Sequence, residues 1–377
     1  MMKACYFGTY DVDQPRNSVI IEGLRENGVE VVECRVDLWQ DTMDKIKSIQ
    51  GGFLNPRLLS RILISYFRLL KRYARVGDHD VMVVGYAGHL DMFLAKALTT
   101  FSRKPLAFDA FVSLTETIVE DRGLVHPDSF LAKLIYLLDR SACRLADLVF
   151  LDTEVHIQHF HEDLGVRLDK LRLVYAGAGN VYRRQLPKVN EGGSFRVLYF
   201  GKYIPLHGVN YIIEAAKILE EHDDIQFELV GKGQTYEGTV RLAEKLDVKN
   251  VIFHHTWLKA EALASEYIQT ADVCLGIFGD TPKARRVVPL KVFAAFAMGK
   301  PVITGDSPAA REVLRPGENV LLCEMANSKA LAQAILLLKR DQVLRERIAQ
   351  GGYASFRQKF SPKAIGAMVK GYLDELC

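Results

Sequence analysis

The stretch ADVCLGIFGDTPKARRVVPLKVFAAFAMGKPVITGDSPAAREVLRPGEN, residues 271–319, decides how the chain is read. Val273 to Phe278 is an apolar run, Gly279 to Pro289 a polar loop, Lys291 to Met298 an amphipathic helical segment, and Pro301 to Thr304 a second short apolar run. Short apolar runs alternating with helical periodicity predict a βαβ unit. In open parallel α/β sheets, ligands sit outside the carboxyl ends of the strands. The loop after Phe278 and the Gly305-Asp306-Ser307 turn should therefore face one crevice. The helix beginning near Leu290 aims backbone N–H groups and the positive end of its dipole there, and Lys283, Arg285, Arg286 and Lys291 add charge. An anion is the expected occupant.

Outward from this unit, composition bounds the rest. The chain has 377 residues, too many for one ordinary core, so two domains of similar size are expected. Forty-nine per cent apolar and 25% charged residues fit a soluble globular protein and exclude disordered and fibrous classes. A balance of 49 basic against 46 acidic residues, net +3, is too mild to argue for nucleic acid. The six cysteines are scattered without C-x-x-C spacing, the pattern of buried free thiols rather than of a metal cluster or disulfide framework. MMKACYFGTY runs into a strand with no cleavable signal, and no run reaches the 18 or so apolar residues of a membrane span. The expected compartment is cytoplasmic, with peripheral attachment at the inner face of the plasma membrane open for the reason below.

The first half repeats the β-loop-α-β pattern: Lys3 to Phe7, Gly8-Thr9-Tyr10, a helix Asn17 to Asn27, then Val29 to Arg35. A glycine after the first strand lets backbone approach a ligand, although a lone Gly-Thr turn is equally a structural device. Phe53 to Arg75 is distinctive because it holds six cations, including Arg57, Arg61, Arg68 and Arg72, and no acid. Leu59, Ile62, Tyr66, Leu70 and Tyr73 oppose the cations on a helical wheel. Such a helix suits an anionic membrane surface, and equally a globular helix with a solvated basic face. Asp80 to Gly85 and Lys104 to Asp109 read as further core strands, the latter followed by Glu116, Glu120, Asp121 and Arg122. Asp109, at a strand end, is a candidate general base, or else an N-cap. His156, His159 and His161 crowd one helix, where an i to i+3 pair could bind metal, but no acidic or Cys partner stands at the spacing a metal site requires.

Arg183 to Ser194, RRQLPKVNEGGS, is polar and aperiodic and reads as the linker between lobes. The second lobe opens with FRVLYF and GKYIPLHG, Gly201 to Gly208, and continues to the turn Gly231-Lys232-Gly233 and to His255-Thr256-Trp257-Leu258.

KVFAAFAMGKPVITGDSPAAREVLRPGENVLL, Lys291 to Leu322, resembles the nucleotide-sugar half of the GT-B glycosyltransferases, most closely glycosyltransferase family 4. The resemblance is motif-specific over about 195–377 and rests on layout over 1–185. It implies an α/β fold of two Rossmann-like doubly wound parallel-sheet domains facing across a cleft. The expected division is an acceptor-side domain over 1–185, a nucleotide-sugar domain over 186–360, and a last helix over 361–377 crossing back.

The activity implied is transfer of a sugar from a nucleoside diphosphate to a glycan or lipid-linked glycan, in polysaccharide or glycolipid biosynthesis, with retention and without a metal or other cofactor. The implied catalytic set is Asp109, Lys202 and Lys291, with Asp109 near the strand end where the family keeps a histidine or other polar residue. The implied donor set is Gly8, Thr9, Gly201, His207, Gly231, Lys232, Thr256, Trp257, Phe278, Lys283, Arg286, Pro289, Ala294 and Asp306.

Two departures stand out. The family's Gly-Arg-x-x-x-x-Lys-Gly diphosphate clamp has Lys202 and His207 in place of its Arg and Lys, losing a bidentate fork and making one charge depend on protonation. Its two glutamates, one on the donor sugar and one on the ribose, fall at Arg286 and Ala294. Asp280, Asp306 or Glu312 could substitute, and an acidic donor sugar would suit Arg286. The alternative is a catalytically impaired pseudoenzyme acting as partner or regulator of an active transferase. A GT-B sugar-nucleotide epimerase would need cleft acids for which no matching set is evident, and no G-x-G-x-x-G follows the first strand to suggest an oxidoreductase.

Overall fold

A computed structural model describes residues 1–11, 14–38, 56–185 and 193–377. Most of the expected linker, and the Arg57 side chain, lie outside the described residues. Two six-stranded parallel sheets form the two lobes. The first has the order β2-β1-β3-β4-β5-β6, from β1 (Lys3–Gly8), β2 (Glu30–Arg35), β3 (Val81–Val84), β4 (Leu106–Phe111), β5 (Leu148–Leu151) and β6 (Leu171–Leu173). The second has the order β12-β11-β10-β7-β8-β9, from β7 (Phe195–Phe200), β8 (Ile225–Val230), β9 (Val251–His254), β10 (Val273–Leu275), β11 (Val302–Gly305) and β12 (Leu321–Cys323). Helices cover both faces, which is why β3, β5 and β11 are buried along their whole length instead of alternating.

On the first sheet, α1 (Pro15–Glu26) lies on one face. The other carries α2 (Pro56–Tyr73), α3 (Asp91–Ser102), α4 (Phe130–Leu145) and α5 (Glu154–Glu162). The second lobe continues with α6 (Val209–Ile218), α7 (Tyr236–Lys245), α8 (Leu290–Ala297), α9 (Pro308–Val313), α10 (Ser328–Arg340) and α11 (Gln342–Ser355). The last helix, α12 (Pro362–Asp374), returns to the first lobe and packs along α1. Gly23 and Gly366 make that contact possible: a Cβ on Gly366 would stand 1.9 Å from the Gly23 carbonyl carbon.

Strand order reverses between β1 and β3 in the first lobe and between β7 and β10 in the second. Loops leaving the two strands at such a point diverge and open a crevice. The expected amphipathic helix after Pro289 is instead buried at every position from Lys291 to Ala297, because β-sheet and α11 sandwich it. The α2 wheel also differs from expectation. Leu69 faces the sheet, while Leu59 and Leu70 are exposed together with Leu63, Ile64 and Phe67. Arg61 turns back to donate to Leu38 O at 2.7 Å, and Arg72, exposed like Arg68, donates to Arg35 O. The lobe needs those carbonyls satisfied, and long arginine stems can reach them from a helix edge.

Candidate functional site

At the second lobe's switch point, the loop after β7 and the loop after β10 are tied by backbone bonds, Phe278 N to His207 O at 3.1 Å and Gly279 N to Leu206 O at 3.2 Å. Gly231, with φ of +147°, sits so close beneath that a Cβ would stand 1.8 Å from Gly201 O. Only glycine fits, and the result is a floor of bare backbone. Lys291, in the first turn of α8, projects over it and is 7% exposed. Its Nζ lies 3.9 Å from the Tyr199 ring centroid and 3.4 Å from His207 Nδ1. Among the described residues no carboxylate pairs with it, and burial holds its amine well below the ordinary lysine value. An unpaired buried cation is costly, and an anion in the crevice would offset that cost.

His207 is neutral. Burial, then the adjacent Lys291 charge, push its imidazole well below the ordinary value, and its Nδ1 meets Tyr199 Oη at 2.8 Å and the Lys202 carbonyl. Pro289, in the N-cap position of α8, supplies an extended entry to that helix. Thr256 is half-buried and Trp257 is exposed beyond β9. The Lys232 carbonyl accepts from Tyr203 N at 2.9 Å.

A second feature lies on the seam between lobes. Glu116, in a π-helical turn at Glu116–Asp121, is fully buried. Its carboxylate accepts from His156 Nε2 at 2.7 Å and from Arg286 at 2.5 Å, and His156 Nδ1 donates to Asp152 at 2.7 Å. Burial disfavours the imidazolium, but the two carboxylates outweigh it and raise His156 to about 9. Glu116 is held far below the usual carboxylate range against its burial, chiefly by His156 and Lys283. Glu120 approaches Arg286 at 3.3 Å, and Lys283 donates to Thr117 Oγ1.

Further bonds cross the same seam. Asp121 Oδ1 accepts from Leu206 N at 2.9 Å and from Thr281 Oγ1 at 3.2 Å, Thr153 Oγ1 donates to Arg286 O at 2.7 Å, and Glu312 caps α5 through Glu154 N at 2.8 Å. Asp121 Oδ2 is buried without a hydrogen-bond partner. Among the described residues no set of three His, Cys, Asp or Glu is arranged to hold a metal ion.

Residues 182–355 match the family model for glycosyl transferases group 1. The second lobe is a group 1 glycosyltransferase domain. Phosphatidyl-myo-inositol mannosyltransferase of Mycobacterium leprae is 32% identical over 165 residues, covering 43% of this chain and 42% of that protein. The chain spans about half the length of the curated relatives it matches, from 42% to 57% for the first four. Two solved structures match at full length: Anabaena HepE in complex with UDP (TM-score 0.71, 16% identity, 100% of both chains) and sucrose-phosphate synthase of Thermosynechococcus elongatus (TM-score 0.74, 15% identity, 100% of this chain and 99% of that one). At such identities the likeness is one of fold, and the fold is GT-B.

Within this glycosyltransferase architecture, Gly201, Gly231, Lys291 and His207 converge on one crevice. Others do not join them. Asp109 is fully buried and paired with Arg16 at 2.7 Å, so it serves as a core counter-ion instead of facing the cleft. Thr9 spends its N–H (2.6 Å) and hydroxyl on Asp91, leaving neither group free for a phosphate, with Gly8 pressed against the same carboxylate. Phe278 points into the hydrophobic core, and Ala294 packs in the core beside Phe293 and Phe296. Asp306 pairs with exposed Arg311 at 2.5 Å, and Glu312 is committed to its cap, so neither is free to replace the missing glutamates. Arg286 and Lys283 face first-lobe oxygens across the seam.

The Glu116-His156-Asp152 cluster went unrecognised in the sequence. Its partners stand 40 and 170 residues from Glu116, and its only local signal is the pair Asp152 and His156, one helical turn apart.

Proposed function

We propose that the chain transfers a sugar from a nucleoside-diphosphate sugar to a glycan or lipid-linked glycan, with retention at the anomeric carbon. The observation that carries this reading is Lys291: a buried amine with no carboxylate partner among the described residues, at a helix N-terminus, over glycine backbone, at the switch point of a GT-B lobe. HepE, of the same fold, has structures with UDP and with UDP-glucose. In the proposed reaction the bond from the anomeric carbon to the diphosphate breaks and the acceptor oxygen takes its place.

Lys291, Lys202 and the α8 N-terminus stabilise the charge arriving on the diphosphate, the work a divalent ion does elsewhere, so no metal or other cofactor is proposed. The unpartnered Asp121 oxygen, unlike the Arg16-paired Asp109 carboxylate, is a ready acceptor for a substrate hydroxyl. The hydrogen-bonded seam keeps the lobes together and water out. Arg286, neutralised by Glu116 and Glu120, offers no free charge to a uronate, which favours a neutral donor sugar. The proposed setting is cytoplasmic, at a membrane surface. No described helix is long and apolar enough to cross a membrane.

A thermal-shift screen against UDP, GDP, ADP, CMP and their sugars tests the donor site, because a ligand of the native state raises its melting temperature. One nucleotide raising it, followed by sugar transfer, supports the proposal. No shift with any would favour the pseudoenzyme, the reading that the loss of both family glutamates at Arg286 and Ala294 otherwise supports.

A further inference from the structure

The first lobe's π-helical turn Glu116–Asp121 lies over the loops that frame the second lobe's crevice. Three loops leave the carboxyl ends of the neighbouring strands β10, β7 and β8, and each is bonded to this turn or to the residue after it. From the β10 loop, Thr281 donates to Asp121, Lys283 to Thr117 and Arg286 to Glu116. From the β7 loop, Leu206 N donates to Asp121 at 2.9 Å. From the β8 loop, Gln234 Nε2 donates to Arg122 O at 2.8 Å. Gly123, with φ of +56°, stops the turn in the left-handed region directly after Arg122. The backbone of Arg122 is thereby fixed at the rim of the crevice that holds Gly201, Gly231 and Lys291.

The Arg122 side chain has no work inside the protein. It is half-buried, its Nε is buried without a hydrogen-bond partner, and among the described residues it forms no ion pair, not even with the adjacent Asp121 carboxylate. Its charge is felt on both sides of the seam. Burial, foremost, depresses Lys283 and His207 in the second lobe and raises the Tyr86 hydroxyl in the first, and the Arg122 charge is among the lesser influences on all three. Such an influence fades with distance, so the guanidinium lies between the lobes, near the crevice. Lys291 acts on the same His207 from its own side, at 3.4 Å, and it too lacks a carboxylate. Two cations left without counter-ions about one crevice are costly, and one anion between them would answer both.

We propose that Arg122 is a ligand of the donor diphosphate, carried to the crevice by the first lobe, its guanidinium bonding phosphate oxygens across from Lys291. A planar guanidinium meets phosphate with two parallel N–H bonds. That fork is what the β7 loop lacks, with Lys202 in place of an arginine and with His207 neutral. The diphosphate is then gripped from both lobes. Because the turn is already bonded to three second-lobe loops, the guanidinium stands in place before the ligand arrives, and little conformational freedom is lost on binding. The inference rests on the donor reading of the crevice.

Titration calorimetry of the full chain with UDP, GDP and ADP tests this on the parent, Arg122→Met and Arg122→Lys. The diphosphate that the parent binds should bind Arg122→Met at least about tenfold more weakly. Arg122→Lys should fall in between, because an ammonium keeps the charge and loses the fork. Without nucleotide, both variants should melt at or above the parent's temperature, since no partner within the protein is lost. A merely structural arginine would lower it. An affinity loss in Arg122→Met smaller than about tenfold, or a loss that comes with a lower melting temperature, overturns the proposal and leaves the donor site standing. A parent that binds none of the three diphosphates removes the donor reading, and this role of Arg122 with it.

Discussion

The two switch points have the same topology and opposite electrostatics. In the first lobe, polar groups near the crevice between β1 and β3 are answered from within. Asp91 takes the Thr9 N–H and hydroxyl, the Asn17 side chain takes Tyr86 N at 2.8 Å, and Arg16 is saturated by Asp109, Val174 O and Tyr175 O. In the second lobe, the crevice between β7 and β10 holds Lys291 beside a neutral histidine and bare glycine backbone. A closed network stiffens a frame, whereas a buried amine without a carboxylate partner is a deficit that an anionic ligand can fill. One fold therefore provides a scaffold in one lobe and, in the other, a crevice whose buried amine no carboxylate answers among the described residues.

Removing one partner of the closed network should have the largest effect. Asp109→Ala strands the Arg16 guanidinium in the core, and urea denaturation should show about 3–5 kcal/mol less stability. Nucleotide affinity of the folded fraction should stay within about twofold. A large affinity loss at unchanged stability would put Asp109 back in the site and end the contrast.

The seam is next. His156 is raised to about 9 in the folded chain against about 6.5 unfolded, so its contribution is fully present below about pH 6.5 and lost as pH rises through about 9. The shift corresponds to about 3 kcal/mol as an order of magnitude. Denaturation midpoints of the parent should fall between pH 7 and 10, and His156→Gln should start lower and fall less. Parallel pH profiles would mean that charge does not hold the seam.

Lys291→Met is expected to be the smallest effect in free energy and the most selective. It should weaken nucleoside-diphosphate binding by about 30-fold, roughly 2 kcal/mol, without lowering the melting temperature, since it removes a buried amine whose charged form desolvation already disfavours. Burial depresses the free amine, and a bound diphosphate favours its charged form. Binding to the parent should therefore take up a proton and weaken as pH rises through the depressed value. Titration calorimetry in buffers of different ionisation heat reads that uptake, which Lys291→Met should lose. An unchanged affinity in this variant would void the asymmetry between the lobes.

Much of the second lobe was legible. Lys291 stands at the start of a helix that follows a glycine-containing loop and an apolar strand, and that order alone aims it at a crevice. Elsewhere the sequence misled at specific points. Asp109 ends its strand in a polar-looking sequence, and only Arg16, 93 residues away, explains it. Arg286 looked available to a donor carboxylate, but Glu116 and Glu120 reach it from the other lobe. On α2, apolar residues recur on more than one side, so periodicity could not choose between Leu69 and Leu70 as the buried one.

By itself the sequence determined the alternation of strands and helices, the two parallel-sheet lobes and the crevice at which Lys291 starts its helix. These follow from hydrophobic periodicity and from helix starts, which are properties of a dozen neighbouring residues. The tertiary structure alone decided which charges are spent and which remain free. Ion pairing depends on approach within a few ångström between residues distant in the chain, and that is fixed only when two sheets have formed and their edges have met across the seam.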